Sequence, residues 1–124
     1  MVGVVSVTIG IGAMLLLTLV QDRIRTLRQE QACRQGDASV CLRLEATYRA
    51  GKRVSMDDDV ADEFRGVAIA IERRDCDAHD AHACFELGVL LTESPPHLRD
   101  PVTASSAFAR ACKSGLERAC GEPK

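Results

Sequence analysis

Six cysteines fall in this chain as three pairs with one spacing: Cys33 and Cys41, Cys76 and Cys84, Cys112 and Cys120 each stand eight positions apart, and none is left over. No other feature constrains the fold as much. The pairs also recur at long range. Cys76 to Cys112 and Cys84 to Cys120 are both 36 residues, while Cys33 to Cys76 and Cys41 to Cys84 are both 43. A period in the mid-thirties belongs to helix-turn-helix solenoids, in which stacked helix pairs bury a continuous core. The longer first unit carries seven extra residues, the difference between 43 and 36, and the polar stretch GKRVSMDDD is where they are expected.

Positions inside the units repeat as well. Leu44, Tyr48 and Gly51 follow Cys41 at offsets of three, seven and ten, and Leu87, Leu91 and Ser94 follow Cys84 at the same offsets. Offsets of three and four build one apolar stripe on a helix. Gly36 and Gly115 stand three residues after the first cysteine of a pair, where a left-handed residue can end a helix, and His79 holds that place in the middle unit. Asp37 and Asp80 follow as N-caps, whereas the last unit has Leu116 there and loses the cap. The first cysteine then sits in the last turn of one helix and the second about a turn inside the next. A tight antiparallel hairpin brings them face to face, so a disulfide can clamp it. The predicted bridges are Cys33 with Cys41, Cys76 with Cys84 and Cys112 with Cys120. Each closes a short loop and removes roughly 2.5 kcal/mol of unfolded-chain entropy in the chain-entropy account. Helices are expected over residues 38 to 50, 57 to 76, 81 to 92 and 101 to 113, with a short stub after Leu116. No stretch alternates apolar and polar residues as a half-buried strand would, so the fold class is all-α, a short α-solenoid.

That solenoid follows a very different segment. From Val2 to Val20 there is no charged residue, and 19 residues of helix span roughly 28 Å, close to the hydrocarbon thickness of a bilayer. A single membrane-spanning anchor over residues 1 to 21 is expected, with the repeat domain over 22 to 124. A cleaved signal peptide fits less well, because no basic region precedes the apolar run and LTLVQDR has no small-x-small cleavage site. Ser6 with Gly10 and Thr8 with Gly12 are small-xxx-small pairs through which two such helices could self-associate. No glycine or proline interrupts the chain between Val20 and Gly36, so the anchor is expected to run directly into the domain. With 124 residues, 3% aromatic content and no tryptophan, the core must be thin and aliphatic, and three staples matter to it. A net charge of -2 without basic runs interleaved with aromatics excludes nucleic acid as a partner.

The patterns CLRLEATYRAG, CFELGVLL and DPVTASSAFARAC resemble the cysteine-rich branch of SEL-like repeats, relatives of tetratricopeptide repeats, over residues 26 to 121. The resemblance implies 36-residue helix pairs with a disulfide between adjacent helices, and it gives repeat-defining roles to Gly88 and to Ala104, Phe108, Ala111 and Cys112. Glu45 departs from the pattern where Gly88 supplies the small residue, and Glu72 stands where Phe108 supplies an aromatic. It also implies a second function class, since some cysteine-rich members are described as penicillin-binding or weakly β-lactam-hydrolysing. Lys113, Ser114 and Gly115 resemble the lysine-serine-glycine box of such enzymes, but their nucleophilic S-x-x-K occurs nowhere in this chain.

Other readings are weaker. Cys76, His79, His82 and Cys84 have zinc-ligand types, yet the other two cysteine pairs carry no histidine, so the spacing does not require a metal. No cofactor is expected. Asp57, Asp58 and Asp59 lack the spaced ligands of a calcium loop and read as a solvated loop and helix start. Arg23, Arg25 and Arg28 beside the anchor read as a solvated helix or a contact to anionic lipid. Their position after the anchor favours a cytoplasmic domain, whereas matched cysteines favour an oxidising compartment. The cysteines carry more weight, and the expectation is an extracytoplasmic, periplasmic domain. Function by architecture is then a membrane-tethered interaction module for an unidentified protein or peptide. Gly121 to Lys124 stop the last helix early and are expected to leave an edge for docking.

Overall fold

The computed structural model describes the backbone of residues 2 to 121 and the side chains of residues 7 to 121. Ser6, as a side chain, and Glu122 to Lys124 lie outside the described residues, and with them the Ser6 half of one small-residue pair and most of the expected terminal edge. Five α-helices follow one another: α1 Val2–Arg34, α2 Ala38–Ala50, α3 Asp58–Asp77, α4 Ala81–Glu93 and α5 Pro101–Lys113, and a 3-10 turn, Glu117–Gly121, closes the chain. Most contacts between elements join sequence neighbours; α1 also meets α3, and Arg110 of α5 reaches back to Asp77 of α3 at 3.0 Å. That is the connectivity of a solenoid, in which each layer covers only the next.

Local chemistry sets the helix ends. Four helices start on an aspartate whose carboxylate accepts backbone N–H bonds: Asp37 from Val40 at 3.1 Å, Asp57 from Val60 at 3.0 Å, Asp80 from Ala83 at 3.1 Å, and Asp100 from Thr103 at 3.0 Å. Each bond satisfies one orphan donor of a first turn. Three hairpins then close with one motif. Gly36 (φ 108), His79 (φ 70) and Gly115 (φ 99) turn left-handed, and the next N–H reaches back five residues, from Asp37 to Ala32, Asp80 to Asp75, and Leu116 to Ala111, at 3.2, 3.1 and 3.0 Å. This satisfies the last carbonyls of each helix as a Schellman motif does.

α1 is one unbroken helix of 33 residues, about 50 Å long. Its two parts have different surroundings. Protein covers none of the side chains from Val7 to Val20, and Met14 is 72% exposed. Further along, Thr26 and Cys33 are buried where α1 packs into the stack. By length and composition this helix is able to cross a membrane. An added Cβ at Gly10 or Gly12 would meet nothing within 4 Å, so the small positions lie open.

The seven extra residues of the first unit are not in the loop. The α2–α3 connection, residues 51 to 57, and the α4–α5 connection, residues 94 to 100, are equally long. The whole difference lies in α3, with 20 residues against 13 in α5. Seven residues make nearly two α-helical turns, so the insertion lengthens the helix while keeping its buried face in register. One shift of 43 therefore maps the Asp57 cap onto the Asp100 cap, and Ala61 and Ala68 onto Ala104 and Ala111, all four of these alanines buried.

Candidate functional site

The stripe positions form the core. Leu44, Leu87, Leu91 and Phe108 are buried, and Tyr48 is half-buried, stacked on Phe64 with centroids 5.6 Å apart and donating its hydroxyl to Glu30 Oε1 at 3.0 Å. Burial raises the Tyr48 pKa, and the bond to Glu30 adds to it. Gly51 ends α2 left-handed at φ 64. Gly88 is a true contact requirement, because a Cβ there would stand 2.6 Å from the Phe108 ring.

In the first unit the counterpart of that contact is ionic. Shifted by 43, Gly88 maps onto Glu45 and Phe108 onto Arg65, and Arg65 Nη1 lies 2.9 Å from Glu45 Oε2. Phe108 therefore has Arg65 as its spatial equivalent, not Glu72, which corrects the assignment made by counting back from the cysteines. Glu45 is only 8% exposed, and Arg49 binds it at 3.1 Å while reaching Asp62 at 2.6 Å. The hydrogen bond from Arg49 holds the Asp62 carboxyl below its usual range. Arg65 Nε also donates to Ser94 Oγ at 2.9 Å, and Ser94 in turn donates to the Leu90 carbonyl. His97 Nε2 sits 2.7 Å from Asp62. The network ties α2 and α3 to the turn before α5, and among the described residues no buried side-chain polar atom lacks a partner.

Disulfides join Cys33 to Cys41, Cys76 to Cys84, and Cys112 to Cys120, with Cα–Cα distances of 4.8, 4.5 and 4.8 Å. Each closes the hairpin turned by Gly36, His79 or Gly115. Cys76 and Cys84 thus spend their sulfurs on each other, while His79 and His82 are exposed and the His82 ring lies 3.3 Å from Arg118. Among the described residues no group of three or more potential ligands is arranged to hold a metal. Lys113, Ser114 and Gly115 form the exposed end of α5 and its turn, where the Ser114 N–H donates to the Arg110 carbonyl at 3.0 Å. Asp57 caps α3 and Asp58 and Asp59 occupy its first turn.

Two clefts of opposite character mark the ends of the α1–α2 hairpin. At the closed end, the turn residues Gln35 to Ser39 face Ile71, Glu72 and Asp75 of α3. Burial pushes the Glu72 pKa up to about 7, helped by the negative charges of Glu86, Asp75 and Asp80. Perturbed groups in clefts are candidate binding positions. At the open end, where α1 leaves the domain, Arg23 and Arg53 line a cleft beside Tyr48 together with Asp22 and Asp57, and Arg25, Arg43 and Lys52 line the adjoining one, which has no carboxylate. Sequence reasoning named Glu45 and Glu72 only as departures from a pattern. The shared offset of 43 was the signal that would have paired Glu45 with Arg65.

No family model matches the chain, and no curated protein matches it. Among solved structures the chain is similar to a Sel1 repeat protein from Oxalobacter formigenes, at 18% identity over 76% of this chain and 92% of that one, with a TM-score of 0.39. In this chain the helices stack in sequence order and three disulfides close their hairpins.

Proposed function

We propose that the protein is a membrane-tethered helical-repeat module that holds a fixed surface out to a protein or peptide partner on the oxidising side of the membrane. The observation that carries this reading is α1, a single helix whose first part is apolar and uncovered and whose second part is built into the disulfide-braced stack. A tether continuous with the first repeat would fix the domain's orientation relative to the bilayer. Disulfides support the oxidising side, because reducing compartments keep thiols free.

The cleft at Glu72 supports a binding role for the stack. Burial and the negative charges of Glu86, Asp75 and Asp80 raise the Glu72 pKa, and a basic segment of a partner placed there would relieve that cost. The test is a photo-crosslinking residue placed at Glu72 in the full chain, irradiated in native membranes. A discrete crosslinked partner that disappears when the crosslinker is moved to exposed Glu117 supports the reading. Crosslinks to nothing but lipid or solvent refute it. Orientation is read from protease access to the repeat domain in sealed vesicles, and a domain protected on the cytoplasmic side contradicts the proposed compartment.

A further inference from the structure

The open end of the α1–α2 hairpin gathers positive charge where the apolar rod begins. α2 runs back along α1, so the turn after it returns to the level of Leu19 to Thr26. Leu19 and Arg23 face Arg53 and Val54 across one cleft, and Arg25 faces Lys52 and Arg43 across its neighbour. Against these five cations the two clefts present two carboxylates, Asp22 and Asp57, in a chain whose net charge is -2. None of the five joins an ion pair among the described residues. Elsewhere in the stack Arg49, Arg65, Arg74 and Arg110 each pair with an acid.

Depth along the helix says what meets that charge. Arg23 follows Val20 by three residues, about 4.5 Å of rise, which puts it inside the layer of roughly 5 to 7 Å that headgroups occupy on each side of the hydrocarbon. Apolar Leu19 stands one turn nearer the bilayer and Val54 closes the cleft beside Arg53. Cations at phosphate depth with apolar surface just below them match a phospholipid in both its parts. We propose that this corner binds the headgroup of an anionic membrane phospholipid, with Arg23 and Arg53 around the phosphodiester and an acyl chain along α1 from Leu19 into the bilayer. The site rests on the membrane-tethered reading above. It would lock the tilt of the domain by pinning the α2–α3 turn to the membrane surface as well as α1.

The test uses the full chain. Flotation with neutral phosphatidylcholine vesicles after alkaline extraction reads the tether by itself. Native mass spectrometry of the protein released from nanodiscs of equal parts phosphatidylcholine and phosphatidylglycerol reads the lipid site. Retained phosphatidylglycerol should exceed phosphatidylcholine by about fivefold, the preference of about one well-placed cation at a membrane surface. In the Arg23→Gln/Arg53→Gln variant the ratio should fall to near one, while hydrogen exchange in α4 and α5 stays unchanged. Equal retention by the unaltered protein, or undiminished selectivity in the variant, overturns the lipid site and leaves the tether standing. Failure to float with neutral vesicles overturns the tether and the lipid site with it.

Discussion

Replacing Glu45 and Arg65 together should cost far less than replacing either alone, because the pair stands where the second unit packs Phe108 on Gly88. Arg65→Ala leaves the carboxylate of Glu45, 8% exposed, with Arg49 as its remaining cation. Removing one partner of a buried pair costs about 3 to 5 kcal/mol when nothing remains, so with Arg49 still present about 2 kcal/mol is expected. Glu45→Gly leaves Arg65 only its bond to Ser94 and adds about 1 kcal/mol for glycine inside a helix, for a similar total. The double variant Glu45→Gly/Arg65→Phe rebuilds the Gly88–Phe108 contact in the first unit, and exchanges of buried ion pairs for packed apolar groups are neutral or stabilising. With Arg65→Phe costing about as much as Arg65→Ala, the expected coupling is about 3 to 4 kcal/mol in favour of the double change. Hydrogen exchange of α2 and α3 amides in the full chain, held in nanodiscs, measures it locally. A double variant as unstable as the sum of the two singles refutes the spatial equivalence of the two pairs.

Gly88→Ala should destabilise the α4–α5 contact by about 1 to 2 kcal/mol despite alanine's better helix propensity, since its Cβ meets a ring rather than a flexible tip; Gly88→Ala/Phe108→Leu should recover most of it in the same exchange experiment. Glu72 has a folded pKa of about 7 against 4.5 unperturbed, so its ionisation opposes folding, a cost absent below the unfolded pKa, growing between the two values and complete above the folded one. Glu72→Gln should accordingly leave thermal stability nearly unchanged at pH 4 and raise it at pH 8, by about 1 kcal/mol once solvent screening of a half-exposed group is allowed for; equal effects at both values contradict the assignment. Cys76→Ser/Cys84→Ser should lower stability by about 2 to 3 kcal/mol and speed exchange first around His79, whose left-handed backbone the bridge helps to hold, and a variant as stable as the parent contradicts that role.

Helix ends were legible because their signals are local. Gly36, Asp37 and Asp80 act within one turn of where they stand, and the structure puts caps and left-handed turns at those residues. The cysteine spacing carried the hairpins for the same reason, since two residues eight apart across a tight turn meet whatever the rest of the chain does. The insertion was misplaced because Gly51, Lys52 and three consecutive aspartates look like loop, whereas two of those aspartates belong to α3. Helical periodicity hides an insertion of two turns, which leaves no break in the apolar stripe. Glu45 and Arg65 stayed unpaired in the sequence reading since their contact depends on where α3 starts, which only packing fixes. The clefts were out of reach for a related reason: Glu72 owes its pKa to burial and to Glu86, Asp75 and Asp80, and the basic corner joins α1 to a turn some thirty residues on.

Cross-linking within hairpins is the central claim, and a protease digest of the full chain kept under nonreducing conditions tests it most directly. Mass spectrometry should find peptides joined as Cys33 with Cys41, Cys76 with Cys84 and Cys112 with Cys120, with no sulfur open to alkylation before reduction. Joined peptides from different hairpins, or cysteines alkylated without reduction in protein taken from its native cells, would contradict the account.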